Sequence, residues 1–133
     1  MVKDHGRSRR KITGGLFKSV RKKRLSEMGR PSAETAIGEV RRKLIRTRGG
    51  NRKVRVLADQ FVNVMDSETG ISKNVKIDDV EVNPASRYYS RRRIITKGAV
   101  LATELGRVKV TSRPGQHGSI SGVLLKEQVE VPE

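Results

Sequence analysis

The sequence contains no cysteine and no tryptophan, and its only aromatic residues are Phe17, Phe61, Tyr88 and Tyr89. Without cysteine neither a disulfide framework nor a thiolate metal site can form, and structural zinc is excluded on ligands alone. The lack points only weakly to a reducing compartment. No apolar run approaches the roughly 18 residues of a membrane span. The basic stretch from Met1 to Thr13 is followed by no apolar segment of the signal-peptide kind. A soluble, intracellular protein is therefore expected.

Acidic residues are also scarce: 14 Asp and Glu stand against 30 Lys and Arg, a formal net charge of +16 in 133 residues. That excess is far beyond what solubility requires and implies a polyanionic partner. Its distribution says more. Residues 1 to 55 hold 19 Lys and Arg against the four acids Asp4, Glu27, Glu34 and Glu39, whereas residues 56 to 133 hold 11 basic and 10 acidic side chains. Nearly all of the net charge lies in the first two fifths of the chain.

The length and a hydrophobic content of 34% leave material for one modest core. The first part has too few apolar residues for a core and is expected to be irregular when free and ordered by its partner. One short helix is expected there, from about Ser19 to Met28, stopped by Gly29 and Pro31. From Val40 onward, short Val- and Ile-rich segments alternate with Gly, Asn, Asp and Pro at intervals of about ten residues, the pattern of a small all-β sandwich or barrel. The expected strands are Val40 to Thr47, Arg52 to Ala58, Phe61 to Met65, Ile71 to Ile77, Asp79 to Val82, Arg93 to Ile95, Ala99 to Thr103, Arg107 to Thr111 and Ile120 to Lys126. Turns are expected at Arg48 to Asn51 and Asp66 to Gly70. The division is a basic N-terminal extension over 1–39 and a β-barrel domain over 40–133.

Alternation sets Val54 and Val56 on one face of their strand and Lys53 and Arg55 on the other, and Arg107 to Val110 repeats the arrangement. Cations in rows on the outside of a barrel are the expectation. Four aromatics are too few for a surface that reads single strands by stacking successive bases. Contact with phosphates and with the shape of folded RNA remains, made by Arg, Lys and backbone N–H groups. Glycine beside a basic residue suits that task, because backbone lacking a Cβ can approach a phosphate closely. Three segments have this form: Arg10-Lys-Ile-Thr-Gly-Gly15, Arg46-Thr-Arg-Gly-Gly-Asn-Arg-Lys53 and Ser112-Arg-Pro-Gly-Gln-His-Gly118. Each also reads as a plain turn, and none has the spacing of a nucleotide-binding P-loop.

Little in the sequence suggests catalysis. His5 and His117 have no spacing that suggests metal ligation or a catalytic dyad. In the acidic run Asp78-Asp79-Val-Glu81, a strand would place Asp79 and Glu81 on one face and Asp78 on the other, so solvated surface is the expectation. No enzyme, cofactor or bound metal is expected.

The ordered set of glycine-basic segments resembles the archaeal and eukaryotic small-subunit ribosomal protein eight family. To the three segments it adds Lys22-Lys-Arg-Leu-Ser-Glu-Met-Gly-Arg-Pro31, Thr35-Ala-Ile-Gly38 and Gly122-Val-Leu-Leu125, so that the likeness spans most of the chain. Eukaryotic members carry a lysine-rich insertion before the Ser-Arg-Pro-Gly-Gln block; here Leu105-Gly-Arg-Val-Lys-Val110 runs directly into it, as in the short archaeal form. Ile12, Ser26 and Thr47 depart from the family's usual residues.

The resemblance implies a β-barrel body in the ribosome, with its basic extension running along ribosomal RNA and no catalytic residues. The residues expected to contact RNA are Arg7, Arg9, Arg10, Lys11, Gly14, Gly15, Lys18, Arg21, Lys22, Lys23, Arg24 and Arg30 in the extension. Around the hairpin they are Arg46, Arg48, Gly49, Gly50, Asn51, Arg52, Lys53 and Arg55, and in the last loop Arg113, Gln116 and His117. The expected partners are small-subunit ribosomal RNA and neighbouring ribosomal proteins in the cytoplasm, with no membrane, no small-molecule substrate and no homo-oligomer. The rival reading is an architectural nucleic-acid-binding protein outside the ribosome, against which stands the lack of an evident recognition helix or apolar wedge.

Overall fold

The computed structural model describes residues 7–18 and 20–125. The chain divides into two compact units, Met1–Ser32 and Ala33–Glu133.

In the first unit the paired glycines close a tight loop. Lys11 N–H donates to the Gly15 carbonyl at 2.8 Å, Gly14 N–H to the Lys11 carbonyl at 3.0 Å and Phe17 N–H to the Arg9 carbonyl at 2.9 Å. Gly14 makes the reversal at a φ of 82°, a conformation that side chains resist. The helix expected from Ser19 to Met28 does not form. Ser19 lies outside the described residues, and what remains is a single 3₁₀ turn, Leu25–Glu27. The reason is packing: Val20 and Leu25 are 101% and 83% exposed, so no apolar face is buried. A short helix carrying four consecutive cations, Arg21 to Arg24, does not hold by propensity alone.

The second unit contains, among the described residues, β1 (Ala36–Ile37), β2 (Arg41–Arg46), β3 (Arg52–Asp59), β4 (Phe61–Met65), β5 (Ser72–Val82), α1 (Arg87–Arg91), β6 (Val100–Thr103), β7 (Gly106–Val110), α2 (Pro114–His117) and β8 (Ser121–Leu124). Strands β4 to β8 form a closed barrel in chain order, antiparallel throughout except where β8 meets β4 in parallel. The fold is all-β, as the sequence pattern predicts. Alternation fills the interior: Val62 and Val64 from β4, Leu101 from β6 and Val108 and Val110 from β7 are each 2% exposed or less.

Five expected strands are corrected. Val40 to Thr47 and Arg52 to Ala58 are paired strands but not barrel staves; β2 and β3 join β1 in a separate three-stranded sheet of order β1-β3-β2. Ile45 is the sole buried residue of β2, and a strand charged on both faces cannot line an apolar interior. The pieces Ile71 to Ile77 and Asp79 to Val82 are one strand, β5. Ile77 pairs with Thr103 and Asp79 with Ala102, so Asp78 is an extra, bulged residue. The bulge shifts the alternation by one, which lets Val80 follow Val75 and Ile77 into the core.

Arg93 to Ile95 is not a strand. Ile94 makes an isolated bridge to Ala36, and before it stands the unexpected α1, whose cap Ser86 accepts the Tyr88 N–H at 3.3 Å. The expected strand end at Lys126 lies outside the described residues.

Candidate nucleic-acid interface

The β2–β3 hairpin concentrates charge of one sign. Residues 41 to 55 carry eight Lys and Arg and no acid. Their register aggravates the repulsion: Arg46 stands opposite Arg52, and Lys43 opposite Arg55. Like charges directly across an antiparallel pair are destabilising. Arg42 bonds at 3.3 Å to Asp59, whose carboxylate is buried and also receives the Phe61 N–H.

The hairpin loop is built rather than loose. Thr47 N–H donates to the Asn51 carbonyl at 2.7 Å, and Asn51 Nδ2 donates to the Arg48 carbonyl at 3.2 Å. Gly49 and Gly50 take φ values of 72° and 77°, which brings bare backbone to the tip beside Arg48.

The structure brings the Ser112–Gly118 segment onto this hairpin. Lys53 Nζ donates to Gln116 Oε1 at 3.0 Å. A Cβ on Gly118 would come within 2.9 Å of the Val54 Cβ, and Gly118 adopts a φ of 80°, so the approach requires glycine on both counts. Two of the three glycine-basic segments, 66 residues apart from Arg46 to Ser112 in number, thus make one surface. Arg46, Arg48, Arg52, Lys53, Arg113, Gln116 and His117 are exposed on it, and Arg55 is half-buried. Gln116 holds the lysine head in place. His117 Nδ1 accepts the Arg113 N–H at 3.1 Å, so the neutral ring carries its proton on Nε2 and offers a donor.

Of the rows of cations expected on the barrel, the one on β3 is corrected and the one on β7 is found. Lys53 and Arg55 lie on the separate sheet. On β7 Val108 and Val110 point inward and Arg107 and Lys109 are exposed outside, Arg107 bound to Glu81 at 2.9 Å. Asp79 likewise binds Arg93 at 3.1 Å, so two of the three acids in the run are engaged with arginines.

The third segment belongs to the first unit. There Arg7, Arg9, Arg10, Lys11, Gly14, Gly15, Lys18, Arg21, Lys22, Lys23, Arg24 and Arg30 are all exposed. Arg10 Nη1 braces the loop through the Gly14 carbonyl at 2.8 Å, and the Arg7 guanidinium lies 4.2 Å from the centre of the Phe17 ring. Arg21 grips Glu27 through both guanidinium nitrogens, with Nη1 at 3.0 Å. The Glu27 carboxylate also accepts the Arg24 N–H at 3.0 Å.

The Arg21 hydrogen bonds, aided by the Arg24 N–H, lower the Glu27 carboxyl to about 2. A depressed pKa means the pair is intact above the ordinary carboxylate range and is lost as pH falls through about 2. A side-chain NMR titration is expected to show that midpoint, and Arg21→Gln is expected to return it toward 4.5. An ordinary midpoint in the unaltered protein would refute the pairing.

Sequence reasoning omitted Lys43, whose place opposite Arg55 depends on strand register. It also passed over Arg87-Tyr-Tyr-Ser-Arg-Arg-Arg93, although four arginines within seven residues are plain to see.

The fold and this surface define a small, strongly basic β-barrel protein with a cationic hairpin beside the barrel. A family model described as ribosomal protein S8e matches residues 4–125. Among curated relatives, the small ribosomal subunit protein eS8 of Methanococcus aeolicus is 50% identical over 123 residues, covering 92% of this chain and 96% of its own length. That of Methanospirillum hungatei JF-1 is 51% identical over 121 residues, covering 91% and 97%. The chain belongs to the ribosomal protein S8e family, in the short form shared with these archaeal relatives.

Proposed function

We propose that this protein is a structural, non-catalytic constituent of the small ribosomal subunit that holds ribosomal RNA through phosphate and shape contacts. The observation that carries the reading is the acid-free hairpin, with Arg46 and Arg52 in register and braced by the last loop. Such a surface is unfavourable alone and favourable against phosphates. The same proposal makes residues 1–39 a basic extension that runs along the RNA and residues 40–133 the body. In it Arg7, Arg9, Arg10, Lys11, Lys18, Arg21, Lys22, Lys23, Arg24 and Arg30 supply charge, while Gly14, Gly15, Gly49, Gly50 and Asn51 present backbone. The family membership and the names of its relatives support the ribosome as the setting, with neighbouring ribosomal proteins as partners and a monomer as the bound form.

Sedimentation tests it. The native protein is expected to travel with small subunits at moderate salt and to leave them at high salt. For pure protein and ribosomal RNA, log affinity should fall by about 0.7–0.9 per log unit of salt for each phosphate neutralised. A salt-insensitive complex, or equal affinity for duplex DNA in competition, would refute the proposal.

A further inference from the structure

We infer that the Arg87–Arg93 segment is a second RNA contact, at which Tyr88 receives one unpaired base while Arg87 and Arg91 take the neighbouring phosphates. It rests on the RNA-binding reading above and adds to it a site on a different part of the body.

Tyr88 is the most exposed aromatic side chain of the described residues, at 71%, against 39% for Phe17 and 44% for Phe61. The Phe17 ring carries Arg7 over its face; Tyr88 has no side-chain partner among the described residues. At about 100° per residue around a helix, Arg91 falls between Arg87 and Tyr88. Tyr89 and Ser90 turn the other way and are half-buried. The exposed face of α1 therefore carries a free ring with two guanidinium groups on one side of it.

The four arginines of the segment divide into two kinds. Arg92 binds Glu34 at 2.8 Å and Arg93 binds Asp79 at 3.1 Å. Arg87 and Arg91, one helical turn apart, have no acidic partner among the described residues, and a like-charge pair at that spacing is unfavourable until an anion reaches it.

The platform is also rigid. The buried Asn83 side chain donates to the Ile94 carbonyl at 2.8 Å and accepts from Ala85 N–H at 3.0 Å and Thr96 Oγ1 at 2.9 Å. Ser90 Oγ in turn accepts the Asn83 N–H at 2.8 Å. Arg93 holds a φ of 51°, a strained value for a residue with a side chain, kept because both ends of the segment are tied. A stacked base loses less freedom on a fixed ring than on a mobile one, and a single ring suits one splayed-out nucleotide of folded RNA rather than a continuous strand.

The absence of tryptophan makes the test direct. In a Tyr89→Phe protein Tyr88 is the sole tyrosine, and its emission is expected to be quenched by an eight-nucleotide single-stranded oligouridylate but not by a blunt RNA duplex. Tyr88→Ala is expected to weaken oligouridylate binding about tenfold without changing the salt slope, and Tyr88→Phe to restore it. Arg87→Gln with Arg91→Gln should lower the salt slope by about 1.4. Unquenched emission while labelled oligouridylate demonstrably binds, or unchanged affinity in Tyr88→Ala, would overturn the inference and leave the hairpin reading standing. Failure of the unaltered protein to bind ribosomal RNA at all would overturn both.

Discussion

Replacing Arg46, Arg48, Arg52 and Lys53 together by glutamine is expected to lower affinity for small-subunit ribosomal RNA about a thousandfold near 0.1 M salt. Each cation that neutralises a phosphate displaces counterions worth about 0.7–0.9 log units there, so four of them account for roughly three. The salt slope should fall by about 3 in parallel. Folding should scarcely change, because all four side chains are exposed and such substitutions stay within about 0.5 kcal/mol. Electrophoretic mobility shift across a salt series, with thermal melting of the same variant, measures both quantities. A variant that keeps its affinity would remove the hairpin from the interface; one that loses affinity at an unchanged slope would show contacts other than phosphate.

The second large effect is expected at the barrel seam. Gly122 is buried on β8, opposite Val64 on one side and Val110 on the other. A Cβ placed there would lie 2.5 Å from Val108 Cγ1 and 2.8 Å from the Lys109 carbonyl oxygen. The valine methyl can rotate, but the carbonyl belongs to the backbone of β7 and moves only if the β7–β8 ladder shifts. Gly122→Val is therefore expected to cost about 3 kcal/mol, a large part of the roughly 5–15 kcal/mol that holds a domain together. The melting temperature should fall by about 12–24 °C for a body of this size. Far-UV circular dichroism during heating reads the change, and an unaltered melt would show that the seam yields. Ser121→Ala, one residue away and half-buried, serves as the mild comparison.

Much of the barrel was legible because its strands alternate cleanly. Val62 and Val64, and again Val108 and Val110, point inward as a period of two requires. What misled the reading was local irregularity. The Asp78 bulge breaks the alternation of β5 and made one strand look like two, while the β-branched pair Ile94-Ile95 suggested a strand where the chain leaves α1 through a left-handed arginine. Membership of β2 and β3 in a second sheet was not legible, since each has strand character and only three-dimensional pairing distinguishes the sheets.

For the site, the three glycine-basic segments stood out by composition. Their grouping did not: the meeting of Arg46–Lys53 with Ser112–Gly118 depends on a glycine at 118 that fits against Val54, a contact with no signature in local spacing. The Arg21–Glu27 pair was hidden for a related reason, since six residues fit no helical period and the partners meet across a turn. Scarce aromatics argued against stacking as a general mode. Exposure picks out Tyr88 as the exception, which composition alone had no means to do.

Strand β2 lies at the end of its sheet, with β3 on one side and no strand on the other among the described residues. An open strand edge invites a second chain to add itself, the first step of aggregation, and charged side chains are a common defence. Here Arg41, Arg42, Lys43 and Arg46 occupy four of the six positions of β2. The charge of this edge, to which Arg46 of the proposed RNA surface contributes, is therefore also expected to oppose pairing between newly made copies of the protein. That protection is strongest before assembly, when no phosphate has yet neutralised the charge.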